Sequence, residues 1–285
     1  MKHELPDRRR DRSAAVTTDR RSSLALAAST TNRPEPSENQ DAFAVLDAER
    51  DGCTAVVVAD GVGSWAMSGI ASRAVVDDVA DVLRQQGADG IEAAFAAAWS
   101  AVQRLVPEAD GPEEQCGTTL LVAAVTPSGA IRAGYVGNGA LLTVVPVPGA
   151  APESAAMFWS NLLVPHSGYQ HGREVLTRSY STMVREAPVP TWITFDPGRP
   201  SAFLVVSDGI WSEEQNPLAR TADGMRWAQR PPILMRSLEL ALAALVAFAQ
   251  GVGPGELAEE LLQHLHRLRA EGLLDDDATV GLLLT

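Results

Sequence analysis

Three turns that carry carboxylates define the chemistry open to this chain. The apolar run TAVVVAD ends on Asp60 and is followed by Gly61; AFLVVSD ends on Asp208 and is followed by Gly209; Asp275, Asp276 and Asp277 lead into the last apolar segment, ATVGLLL. Each acid stands where a buried strand gives way to a turn. If these strands are neighbours in one sheet, their carboxylates converge at one rim of the core, where like charges are costly to bury unless something positive sits among them. No Lys or Arg lies within the three motifs. A divalent cation resolves the conflict, and all-oxygen donors select a hard ion such as Mg²⁺ or Mn²⁺ over zinc. The glycine after each Asp permits a sharp turn, and at Gly61 it brings a carbonyl oxygen within reach of the ion.

Taken singly, each motif also has an ordinary reading. An Asp-Gly pair is commonly a turn in which the Asp bonds its own backbone, and a triple Asp is commonly a solvated loop or a helix cap. The combination carries the metal reading. Other chemistries find little support: there is no nucleophile elbow G-x-S-x-G and no phosphate-binding G-x-x-x-x-G-K-[ST] loop, and GVGSWA departs from the dinucleotide pattern at its last position. His264 and His266 are two apart on an expected helix and face different ways. His166 and His171 fall in an irregular stretch and are minor binding candidates.

Rigid elements must hold these acids in place. Short apolar segments at 23–30 and 41–48 flank a loop rich in Pro, Asn and Ser, and 54–60 reads as a buried β-branched strand. Residues 68–86 place Ile70, Val75, Val76, Val79 and Leu83 at helical spacing, and 91–106 forms a second consecutive helix. Turns at PSG and GNG mark a β-meander over 118–145. An irregular insertion with short strands fills about 146–200, AFLVVS is a strand, helices cover 234–249 and 255–270, and the chain closes on a strand. This is an α+β order rather than strict βαβ alternation, and it fits two antiparallel sheets flanked by helix pairs.

Composition narrows the function further. With 285 residues and 46% hydrophobic content the chain can bury a large core. The net charge of −13 is uneven, because residues 1–21 hold seven Lys or Arg against four Asp or Glu. The acidic body therefore repels a phosphate backbone, and nucleic acid is not an expected partner. Residues 1–22 are expected to be a disordered basic tail, with 23–285 as a single domain. Two cysteines, Cys53 and Cys116, suit a reducing compartment. The N-terminus lacks an apolar segment behind its charges, and the longest greasy stretch, 238–249, is too short for a bilayer. A soluble cytoplasmic protein is expected.

Six motifs in order carry a resemblance: NQDAF (39–43), VVVADGVGSW (56–65), CGTTLLVA (116–123), GYVGNGAL (134–141), VVSDGIW (205–211) and DDATVGLLL (276–284). The series resembles the metal-dependent serine/threonine protein phosphatases of the PP2C type, also called the PPM family, in a divergent bacterial-like form. The resemblance spans 39–284. It implies a four-layer α-β-β-α sandwich and a site for two divalent cations, Mn²⁺ or Mg²⁺, at one end of the sheets. Asp60 would bridge both ions, the Gly61 carbonyl would bind one, and Asp208 and Asp276 would complete the other's ligands. Asp41 would hold water just outside the ligand set, which makes Asp41 and Asp60 the implied catalytic pair. The implied reaction is hydrolysis of a phosphomonoester on a phosphorylated protein, with a cognate kinase as counterpart and no membrane partner, by a monomer. Thr118 and Thr119 would pack structurally and Trp211 would sit in the core.

The departures from the family pattern are specific. Ser64 replaces a second glycine, and Val62 stands where many members have a histidine. Pro36 occupies the position of a phosphate-gripping arginine, with Arg33 nearby as a substitute. Gly137, Asn138, Gly139 and Ala140 replace G-D-S-R, whose aspartate serves a third metal in bacterial relatives. Two further readings stay open: a degenerate member that binds a partner, and a hydrolase of small phosphoesters.

Overall fold

The structure is a computed structural model and describes residues 12–16, 23–30, 38–47, 51–105 apart from 64 and 66, 115–149, 156–170, 173–211, 218–221, 224–227, 232–274 and 276–285. In chain order the first strands are β1 (Arg12–Val16), β2 (Leu24–Thr30), β3 (Ala42–Leu46) and β4 (Thr54–Ala59), followed by helices α1 (Ser68–Gln86) and α2 (Ile91–Arg104). Next come β5 (Gly117–Thr118), β6 (Leu120–Val125), β7 (Ile131–Val136), β8 (Ala140–Pro146), β9 (Met157–Asn161), β10 (Ser167–Gln170), β11 (Arg173–Leu176), β12 (Tyr180–Ser181), β13 (Thr191–Phe195) and β14 (Ala202–Val206). The hairpin β15 (Leu218–Thr221) and β16 (Gly224–Trp227), helices α3 (Pro232–Ala249) and α4 (Pro254–Ala270), and strand β17 (Ala278–Leu284) complete the chain.

Two antiparallel sheets dominate, in the orders β1-β2-β17-β14-β8-β9 and β13-β7-β6-β4-β3. Their strands read as continuous apolar runs because both faces are buried. Along β14, Ala202, Leu204 and Val206 pack with Leu238, Leu245, Leu261 and Leu265 of α3 and α4. The alternate residues Phe203 and Val205 join Val56, Val58, Leu121 and Leu283 in a core shared by the two sheets. On the other side, Ala55, Val57 and Ala59 of β4 pack against Val75, Val79, Leu83, Ile91 and Ala98 of α1 and α2. The expected α+β arrangement of two antiparallel sheets with helix pairs is therefore observed. Each fully buried Leu or Val contributes roughly 1.5–3 kcal/mol relative to exposure.

Within each sheet, register gathers the motifs at one end. Ala59 stands opposite Ala42, so Asp60 lies beside Asp41; Leu120 stands opposite Val136, so Thr119 lies beside Gly137. In the other sheet Val206 is paired with both Val280 and Ala140, which brings Ser207 and Asp208 next to Asp277 and to the turn at 137–139.

Three expectations need correction. Arg12–Val16, placed in a disordered tail by the sequence reading, pair antiparallel with Ala25–Ser29 as the edge of the larger sheet; residues 1–11 and 17–22 lie outside the described residues. The stretch 146–200, expected as an irregular insertion with short strands, holds short strands that are not all irregular additions, because β9 and β13 extend one sheet each along Pro146–Leu142 and Tyr135–Ile131. Its alternating half-buried and exposed residues are those of edge strands, whose weak hydrophobic signal hid them. Ile70, counted in the apolar stripe of α1, is exposed, while Ser68 and Ser72 take the buried positions at that end of the helix.

Candidate metal centre

The backbone of Asp60 is clamped before its carboxylate is considered. Its N–H donates to Thr119 Oγ1 (3.0 Å), and its carbonyl accepts from the Thr119 N–H (2.8 Å) and from Thr118 Oγ1 (2.9 Å). The two threonines expected to be packing residues thus fix the end of β4. Gly61 has no room for a side chain: a Cβ there would lie 2.9 Å from the Ser68 carbonyl and 3.0 Å from that of Gln40. Neither Gly61 nor Gly209 adopts a positive φ, so close packing rather than turn geometry requires glycine at both. At Gly209 the constraint is tighter, since a Cβ would meet the Asp277 carbonyl oxygen at 2.1 Å.

The other acids are seated as firmly. Asp41 is buried and accepts from Ser207 Oγ at 2.8 Å, and the same Ser207 oxygen accepts the Thr279 N–H at 2.9 Å. Asp277 is buried and accepts the Gln40 N–H at 2.8 Å, tying the start of β17 to the loop before β3. Asp276 is exposed at the rim, and its carboxylate accepts the Asp277 N–H at 2.8 Å. Asp208, half-buried, accepts from Asn138 Nδ2 at 2.9 Å.

Electrostatics unite these groups. Burial, followed by the charges of Asp208, Asp41 and Asp276, holds the Asp60 carboxyl well above the usual carboxylate range, and a hydrogen bond with Asp208 adds to the shift. Burial pushes Asp41 up to about 7, with the charges of Asp277 and Asp208 adding to the rise and the hydrogen bond from the Ser207 hydroxyl opposing it. These are the signs of acids gathered without matching cations. One atom bears directly on what fits there: among the described residues Asp41 Oδ1 is a buried oxygen with no hydrogen-bond partner. A buried oxygen left unpaired is costly, and a hard cation or its water supplies the missing partner. Among the described residues no three acid, imidazole or thiol side chains are already drawn into a formed chelate. The fit to divalent cations therefore rests on the oxygen-only donors, the raised proton affinity of Asp41 and Asp60 and the orphaned Asp41 oxygen.

All five sequence-predicted site residues, Asp41, Asp60, Gly61, Asp208 and Asp276, meet at this rim. Ser207, Thr279 and the donor role of Asn138 were missed, and Asp277 was named only as part of the triple Asp, with Asp276 taken as the ligand. Within the triple Asp the strand period held the clue, since Asp277 shares its face with Thr279. Arg33, Pro36, Ser64 and His171 lie outside the described residues. Trp211, expected in the core, is buried there. His264 is buried and bonds Ser237 Oγ at 3.1 Å between α3 and α4.

A sequence model of the protein phosphatase 2C family matches residues 30–239, well over half of the chain. The chain belongs to the protein phosphatase 2C family. This 2C-family chain matches no curated protein by sequence. Among solved structures it is similar to the PPM Ser-Thr phosphatase MsPP from Mycobacterium smegmatis, with 19% identity, a TM-score of 0.60, and coverage of 91% of this chain and 97% of that one. It is also similar to the serine/threonine phosphatase of S. agalactiae, at 14% identity, TM-score 0.56, and coverage of 96% and 99%. A third is PppA of Pseudomonas aeruginosa, described as a key regulatory component of T6SS, at 17% identity, TM-score 0.56, and coverage of 92% and 96%. At these identities the likeness establishes a shared 2C-type fold, and the site of this chain has to be argued from its own residues.

Proposed function

We propose that this 2C-family chain is an active, metal-dependent serine/threonine phosphoprotein phosphatase. The observation that carries the reading is the gathering of Asp41, Asp60, Asp208 and Asp276 at one rim, with Asp41 Oδ1 buried and unpaired. Asp60, the Gly61 carbonyl, Asp208 and Asp276 would hold two divalent cations, Mn²⁺ or Mg²⁺. Such a pair supplies Lewis acidity, activating a water nucleophile and neutralising charge on the phosphoryl group. The protein's own contribution is rigidity. Thr118 and Thr119 fix the Asp60 peptide, Ser207 orients Asp41, Asn138 orients Asp208, and Asp277 fastens the loop that carries Asp41. Positions held this tightly favour reaction by lowering the cost of arranging the reactants.

The substrate class is a phosphorylated protein, and the opposing enzyme is a protein kinase. A cytoplasmic setting belongs to the proposal, because two free, buried cysteines suit a reducing compartment. A second reading, a degenerate member that binds a partner, is favoured by two departures from the family pattern, Pro36 in place of the phosphate-gripping arginine and Gly137–Asn138–Gly139–Ala140 in place of G-D-S-R.

Hydrolysis of p-nitrophenyl phosphate and of a phosphothreonine peptide separates the two. With Mn²⁺ or Mg²⁺, wild type is expected to turn over both, chelator to abolish the activity, and Asp208→Asn to lower kcat by at least about a hundredfold, the scale of losing one group that stabilises the transition state. A folded wild type inert with both metals would leave the partner-binding reading.

A further inference from the structure

One buried histidine stands behind the site without reaching it. His166 is almost fully enclosed and stacks on Tyr135, with ring centroids 4.5 Å apart. Its backbone N–H donates to the Gly137 carbonyl at 2.8 Å, and its Nδ1 accepts the Gly137 N–H at 3.2 Å. One residue thereby grips both polar groups of one glycine. Because Nδ1 is an acceptor, the ring proton is on Nε2, which donates to Thr191 Oγ1 at 2.9 Å. Burial, and then the charge of Arg178 with its Nη1 3.4 Å from Nε2, push the imidazole pKa down to about 4, which keeps the Nδ1 lone pair available at neutral pH.

The gripped glycine opens the turn that carries Asn138. Gly137 has φ of 132°, and a Cβ on it would lie 2.5 Å from Thr119 Cβ; a Cβ on Gly139 would lie 2.5 Å from the Val206 carbonyl oxygen. The turn is therefore seated between the threonine that clamps Asp60 and the strand end that leads to Asp208. From this seat the Asn138 amide donates to Asp208 Oδ2. An amide is a neutral donor: it orients the carboxylate and leaves its charge available to a cation.

We propose that His166 is a positioning residue for Asp208, acting through the 137–139 turn and the Asn138 amide. The inference rests on the reading of Asp208 as a metal ligand. It gives the segment from β9 to β13 a task, since His166 lies between these strands and Thr191 opens β13.

The test is calorimetric titration of Mn²⁺ into wild type, His166→Leu, His166→Asn, Asn138→Ala and the His166→Leu/Asn138→Ala double variant, with a melting temperature for each. His166→Leu and Asn138→Ala are expected to weaken Mn²⁺ binding about tenfold or more, and His166→Asn, whose Oδ1 can accept in place of Nδ1, to stay within about threefold of wild type. The double variant is expected to bind no more weakly than Asn138→Ala alone, because the two act in series. Wild-type Mn²⁺ affinity in a less stable His166→Leu, or losses that multiply in the double variant, would overturn the relay. Should His166→Leu fail to fold, Thr191→Val releases the Nε2 side alone: weaker Mn²⁺ binding supports the relay and unchanged binding overturns it. The readout needs no turnover, so a protein that binds Mn²⁺ without hydrolysing anything still decides the matter. A wild type that binds no Mn²⁺ removes the metal centre and this inference with it.

Discussion

Asp41 holds its proton more tightly in the folded chain than in the unfolded one, and that difference has a measurable sign. Its carboxyl is raised from an ordinary 3.8 to about 7, so between those values the folded state binds more protons, and rising pH weakens it relative to the unfolded state. An amide at this position has no proton to lose. With chelator present, the melting temperature of Asp41→Asn minus that of wild type is expected to grow from pH 5 to pH 8; a constant difference would contradict the burial argument. Thr119 offers a second residue-scale test. Thr119→Val keeps the shape but removes the acceptor for the Asp60 N–H, a change expected to cost about 1–3 kcal/mol. Thermal unfolding measures that cost, and an unchanged melting temperature would show that the clamp is idle.

At the scale of elements, the decisive contact is between two strand ends. The Asp208–Gly209 turn after β14 lies against the carbonyl of Asp277 before β17, with no space for a methyl group. Backbone cannot yield as a side chain does, so Gly209→Ala is expected to cost about 1–3 kcal/mol and to weaken Mn²⁺ binding by pushing Asp208 from Asp277. Wild-type stability and Mn²⁺ affinity in this variant would show that the contact does not set the rim. The central strands and both helix pairs were legible because each central strand is buried on both faces, and the acids of the motifs stood out because each interrupts an apolar run. The edge strands β1, β9 and β13 were not legible, since strands paired on one side show little apolar patterning. Nor was the contact of His166 with Gly137, which no local pattern encodes, or the buried place of Asp277, which depends on strand phase.

For the whole molecule, the fold concentrates unfavourable charge at one end of two otherwise apolar sheets. A cation that binds only the folded state stabilises it by about 2.7 kcal/mol per site at a hundredfold excess over its Kd. Mn²⁺ is therefore expected to raise the melting temperature of wild type and chelator to reverse the rise, with the effect lost in Asp60→Asn. A melting temperature indifferent to Mn²⁺ would mean that the acids at the rim hold no ion.

The central claim is that this rim is a centre for two cations, and the measurement nearest to it is the number of Mn²⁺ ions bound per chain, read by calorimetric titration. Two ions per wild-type chain, falling to one or none in Asp60→Asn, is the predicted result. No binding by wild type, or binding that survives unchanged in Asp60→Asn, would contradict it.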